Sequence, residues 1–181
     1  MANLTQAYEL QELDIRTGYR FLFVSVGSKT ILKAVRYTYA RTFEDKKVYN
    51  LGFGDYDIKT GTIVDQAKSN NGDAYKVLQT VLSTIPYFFE KNPDAMVLVQ
   101  GSDSDPAFAE RCRKTCNKHC FTTCKRFRQR IKVYRSYVEK NFGDLSISFW
   151  FLGGFLSINR DVEIQRYVPG REYDAILFFR K

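Results

Sequence analysis

One histidine, His119, is all the chain offers for imidazole chemistry, and no HExxH is present, which removes the zincin helix. GxSxG, GxGxxG and paired CxxC are absent too, so there is no nucleophile elbow, dinucleotide fingerprint or zinc-ribbon spacing. Long apolar runs are missing. The longest, SISFWFLGGFLSI (146–158), has 13 residues and is split by Gly153–Gly154. A membrane span takes ~20 residues, so this stretch reads as two core strands and a turn. Residues 1–10 show neither a basic start nor an apolar run, so no secretory signal is expected. The setting expected is a reducing cytoplasm, where four cysteines do not imply disulfides. No repeat, linker or low-complexity segment interrupts the chain.

What is present is a chain of 181 residues, 44% hydrophobic, with 15 Phe and 12 Tyr. That is enough for one domain, residues 1–181, with a core of its own. The net charge is +8, and its placement matters more than its size. Between Asp105 and Lys140 stand eleven Lys and Arg against Asp105, Glu110 and Glu139; elsewhere seventeen bases meet seventeen acids. The whole excess lies on one segment.

Hydrophobic periodicity gives the elements. RFLFVSVG (20–27), KTILKAVRYTYAR (29–41) and KVYNLGFGDYD (47–57) read as strands, the first two joined at Gly27-Ser28. A short strand, TIVD (62–65), follows. Ala74, Val77, Leu78, Val81, Leu82, Ile85, Phe88 and Phe89 recur at threes and fours, predicting a helix over about 73–90 in which Pro86 kinks or restarts the last turn. AMVLVQ (95–100) is a core strand. Phe108, Cys112, Cys116, Cys120, Cys124, Phe127, Ile131, Tyr134 and Val138 then step by fours and threes, predicting one long helix ending at Asn141-Phe142-Gly143. LSISFWFL, FLSIN and DAILFF read as closing strands. The expectation is an α+β fold: a mostly antiparallel sheet with two helices, the second long and basic, packed on one face.

On that reading the cysteines are a small-residue packing stripe. Along a continuous helix Cys112 and Cys124 are ~18 Å apart, too far to share one tetrahedral metal, and i,i+4 Cβ spacing is too wide for a disulfide. No metal and no cofactor is expected. A partial site on Cys116 and Cys120 would need ligands from elsewhere.

Three candidate sites remain. The first is the basic helix, where Lys118, Lys125, Arg126, Arg128, Arg130, Lys132 and Arg135 can neutralise phosphates. Phe127, Tyr134 and Tyr137 are interleaved, and an exposed Tyr137 can stack on a base. The bland alternative is a solvated face, or one that docks an acidic protein partner. The second is GSDSDP (101–106), a strand-to-helix junction where Gly101, Ser102 and Ser104 offer donors to an anion. Asp103 and Asp105 oppose a bare phosphate there, plain capping explains the residues as well, and the GK[ST] ending of a P-loop is missing. The third is a carboxylate cluster of Asp55, Asp57 and Asp73 for metal-dependent phosphodiester chemistry, although turn formation accounts for the same residues. His119, alone in a basic helix, reads as a surface residue.

NLGFGD (50–55), NNGDAYKVLQTV (70–81), QGSDS (100–104) and QRIKVYRSYVEKN (129–141) together resemble a bacterial family of short single-domain proteins of unknown function. The resemblance implies a single α+β domain in an intracellular bacterial setting and brings no catalytic residues. The leading expectation is nucleic-acid binding through the basic helix. The alternatives are a phosphate-substrate enzyme or toxin-like nuclease with its pocket at the GSDS loop, and an interaction module docking an acidic protein partner. No membrane contact is expected.

Overall fold

The computed structural model describes residues 7–15, 18–64, 71–105, 107–114, 120, 122–156 and 162–181. They fall into two compact units, Met1–Ala95 and Met96–Lys181.

In the first unit, β1 (Gln11–Ile15), β2 (Gly18–Val26), β3 (Thr30–Phe43), β4 (Lys46–Asp57) and β5 (Thr62–Val64) form an antiparallel meander, each strand pairing with the next. The β2–β3 hairpin turns at Gly27, as its sequence suggests. The β3–β4 hairpin closes on Glu44-Asp45, both left-handed (φ 46° and 60°), which is the two-residue turn that matches strand twist. Neither residue is Gly or Asn, so the sequence gives little warning of it. The helix α1 (Ala74–Lys91) runs on as one helix through Pro86. It covers the strand face that carries Phe21, Phe23, Val35 and Tyr37, all buried. Tyr37 stacks on Phe88 with ring centroids 4.2 Å apart, and its hydroxyl meets Thr84 Oγ1 at 2.8 Å. Burial pushes that phenol well above its usual pKa.

The NNGD stretch owes its composition to this packing. Asn71 Nδ2 donates to Ser25 Oγ and to the Lys29 carbonyl, both at 2.9 Å, and Asn71 Oδ1 accepts from Lys29 N at 3.1 Å. A Cβ on Gly27 would come within 2.7 Å of Asn71, so glycine there admits the clasp. Gly72 supplies a left-handed φ of 70°. Asp73 then accepts from Ser25 Oγ at 2.6 Å and Tyr8 Oη at 2.8 Å. The segment pins the β2–β3 turn to the start of α1.

In the second unit, β6 (Met96–Gln100), β7 (Phe149–Leu156), β8 (Val162–Arg166) and β9 (Ala175–Arg180) pair antiparallel in the order β6-β9-β7-β8. Phe151, Tyr167, Tyr173, Ile176, Leu177 and Phe178 are buried. Gly153–Gly154 is not a turn but the middle of β7. The Tyr173 ring lies where a Cβ on Gly153 would be. The tyrosine hydroxyl accepts from Gln165 Nε2 and Val168 N, both at 3.0 Å.

The helices of this unit differ from the expectation. In place of one long helix there are α2 (Phe108–Arg113), α3 (Gln129–Lys140) and α4 (Phe142–Ser148). With α1 the described residues hold four α-helices, not two. Residues 122–128 hold no helix, 125–128 being turn, and Arg128 is left-handed (φ 59°, ψ 21°), which stops any helix reaching α3 from its N-terminal side. Tertiary contacts fix that boundary: the backbone N–H of Arg128 bonds to the Asp103 carbonyl at 3.1 Å, and that of Arg130 to Asp103 Oδ2 at 2.9 Å. Leu145–Ser148, expected as strand, is helical, because the Asn141 carbonyl accepts from Leu145 N and starts α4 at once. Phe142 stacks on Tyr167 at 5.6 Å and holds the junction.

The cysteine stripe does not survive this correction. Cys112 is buried on α2, Cys124 is buried in the turn before α3, and half-buried Cys120 accepts the Lys125 N–H at 3.3 Å. Cys116, with Lys118 and His119, lies outside the described residues.

Candidate functional site

The basic segment is built around the GSDS turn. Strand β6 runs into a 3-10 turn at Ser102–Ser104, closed by Ser104 N donating to the Gly101 carbonyl at 3.0 Å. Gly101 is buried, and a Cβ there would sit 3.2 Å from Arg130 Cβ and Ile131 N, so the turn abuts the first turn of α3. Asp103, 4% exposed, offers its carboxylate to that first turn. A helix N-terminus attracts negative charge, and here the protein provides it. Any anion at Gly101, Ser102 and Ser104 has Asp103 to compete with. Ser102 Oγ accepts from Arg130 Nη1 at 2.8 Å, and Ser104 is buried.

The expected phosphate-binding side chains divide in two. Arg128 pairs with Asp174, whose other oxygen accepts the Leu156 N–H at 2.9 Å. Arg135 lies 3.7 Å from Glu139 and 3.4 Å from Glu172. Arg130 is engaged with Ser102. Lys125 and Lys132 are exposed, Arg126 is partly exposed, and Arg113, Lys114 and Lys140 add exposed cations on the same stretch. Phe127, Tyr134 and Tyr137 are half-buried. Sequence periodicity could not separate the two sets, because the acids that hold Arg128 and Arg135 include Glu172 and Asp174, about forty residues downstream.

The three carboxylates considered for metal chemistry have separate protein partners. Asp55 takes the Lys33 ammonium at 2.5 Å, Asp57 accepts the Lys59 N–H at 2.8 Å, and Asp73 serves Ser25 and Tyr8. Among the described residues no group of three His, Cys, Asp or Glu can hold a metal ion.

Burial raises the Asp73 pKa, but the bonds from Ser25 and Tyr8 and the nearby Lys33 charge outweigh it, and the carboxyl sits below its ordinary value. A depressed folded-state pKa adds stability above the unfolded value, and that stability is lost as pH falls through the folded one. Asp73→Asn is therefore expected to flatten the acid limb of the stability–pH curve below about pH 4, measured by thermal unfolding. An unchanged limb would remove Asp73 as its source.

Among the described residues no helix is long and apolar enough to cross a membrane. Neither a curated protein nor a solved structure matches the chain. Residues 4–181 match the model of a family described as a family of unknown function, DUF6934.

Proposed function

The chain belongs to that family of unknown function, which brings no activity with it, and from its charge distribution we propose that it binds nucleic acid through the basic surface of its second unit. The observation that carries this reading is the asymmetry of charge: residues 96–181 hold sixteen Lys and Arg against nine Asp and Glu, while residues 1–95 hold twelve against eleven. Lys125 and Lys132, with Arg126, Arg113, Lys114 and Lys140, form the contacting set, and Lys118 belongs to the same segment. Arg128, Arg130 and Arg135 shape the surface by fixing α3. Binding is electrostatic, by charge neutralisation and counterion release. The GSDS turn supports a phosphate-substrate enzyme less well, because Asp103 stands at the helix start where a phosphate would go.

The test is fluorescence anisotropy of labelled single-stranded RNA and duplex DNA on nuclease-treated protein at ~50 and ~200 mM salt, where six or more phosphate contacts cost about a thousandfold in affinity. Lys125→Gln and Lys132→Gln are each expected to lower the log–log salt slope by about one. No binding at low salt would overturn the reading, and co-purification of an acidic protein would put that partner in place of nucleic acid.

A further inference from the structure

The face of the β2–β3–β4 sheet opposite Tyr37 carries a second concentration of positive charge. Directly opposed residues share a face, so the registers Gly18–Thr38–Asn50, Arg20–Arg36–Gly52 and Arg41–Val48 lay these side chains side by side. The irregularity between Tyr39 and Arg41 is what brings Arg41 round to this side. No β2, β3 or β4 position on this face carries Asp or Glu. Arg20 and Arg36 stand directly across from one another, an arrangement that costs stability for like charges.

Short residues separate the arginines. Gly18, Thr38, Asn50 and Gly52 make a low floor, with Arg20 and Arg36 at one end and Arg41 roughly 13 Å along the strand at the other. Among the described residues a Cβ on Gly52 would meet nothing closer than Asn50 Nδ2 at 3.9 Å, so these leave the floor open beside Arg36. Arg20 is oriented by Tyr56 Oη, 2.7 Å from its Nη1, and by the Gly61 carbonyl, 3.4 Å from its Nη2. Its Nε has no hydrogen-bond partner among the described residues, nor do Arg41 Nε and Nη2 or Asn50 Oδ1, and all four atoms are buried. Arg41 Nε and Nη2 form one edge of the guanidinium, the edge that grips two oxygens of an oxyanion.

We propose that this floor, Thr38, Asn50 and Gly52 between Arg20, Arg36 and Arg41, is a binding site for a phosphomonoester or free phosphate. The polar inventory selects phosphate over other oxyanions. Arg41 Nε and Nη2 and Arg20 Nε need acceptors, while Asn50 Oδ1 needs a donor. A phosphomonoester near neutral pH still carries a proton in part, its second pKa being near 6, free phosphate holds that proton more tightly, and each therefore offers both. Sulfate offers acceptors alone. The site does not depend on the basic surface of the second unit.

The test is the thermal shift and the calorimetric titration of the full chain with inorganic phosphate, and with sulfate at equal ionic strength. Phosphate is expected to raise Tm and sulfate to raise it little. Arg41→Gln is expected to weaken phosphate at least tenfold. Arg41→Lys keeps the charge but not the two-toothed edge and is expected to recover only part of the loss. Gly52→Val, which suits a strand and fills the floor, is expected to abolish the shift while near-UV circular dichroism stays native. Lys125→Gln, which belongs to the second unit and not to this set of residues, is expected to leave phosphate binding unchanged. A 5′-phosphorylated oligonucleotide binding more tightly than its 5′-hydroxyl form in an Arg41-dependent way would assign the phosphate to a nucleic-acid end. Equal binding of the two oligonucleotides, with the inorganic phosphate shift intact, would assign it to a small molecule. The absence of a phosphate shift in the unmodified protein, equal shifts with sulfate, or a shift that survives both Arg41→Gln and Gly52→Val would overturn the proposal.

Discussion

Lys33→Ala is expected to lower the unfolding free energy of the first unit by about 3–5 kcal/mol, the cost of leaving one partner of a buried ion pair alone. Lys33 is 8% exposed on the core side of β3, directly opposite Asp55 on β4, with 2.5 Å between Nζ and the carboxylate. Its charge also reaches Asp73, so the substitution strands one carboxylate and weakens support for another. The pair itself is not the source of stability, because desolvating both ions offsets most of their attraction. Replacing both together, Lys33→Met with Asp55→Leu, is accordingly expected to cost far less than Lys33→Ala alone and can be neutral. Urea unfolding of the three variants measures this. A double variant as damaged as the single one would show that the charges do something besides cancel each other.

The second large effect is at Gly153. A valine there is expected to cost about 3 kcal/mol, the upper end of overpacking penalties, because the ring of Tyr173 fills the space its side chain needs. Tyr173 is wholly buried, lies 5.0 Å from the Tyr167 ring and holds the Gln165 and Val168 donors, so it cannot swing aside cheaply. In a Tyr173→Ala background the same valine is expected to be nearly neutral, a coupling a double-mutant cycle reads directly. Equal penalties in both backgrounds would refute the slot as the reason for glycine at position 153.

These cases show where the sequence is informative. Alternation and short apolar runs located β2, β3, β4, β6 and β9, and threes and fours located α1 almost to the residue, because a half-buried element must repeat its apolar side at its own period and a strand buried on both faces is apolar throughout. The charge excess of the second unit is likewise a property of composition. The positions of Gly101, Ser102 and Asp103 were also readable as a turn that starts something helical.

Other features depended on contacts between residues far apart in the chain. Phe108 to Val138 keeps a helical period, yet Asp103 sets the start of α3 and Arg128 turns left-handed before it. Periodicity measures which side of a helix would be apolar, not whether the helix is continuous. Gly153–Gly154 looked like a turn because the residue that needs its missing side chains, Tyr173, lies twenty positions away. The sorting of cations into Lys125 and Lys132, which face solvent, and Arg128 and Arg135, which are held by Asp174, Glu139 and Glu172, follows the same logic. So does the arginine floor of the first unit, where the register of three strands and one irregularity places Arg20, Arg36 and Arg41 on one face. The sequence alone determined the segments that carry apolar faces and excess charge, since both are local sums over side chains. Tertiary structure decided which charges meet, because an ion pair or a packed ring depends on distances that no stretch of chain contains.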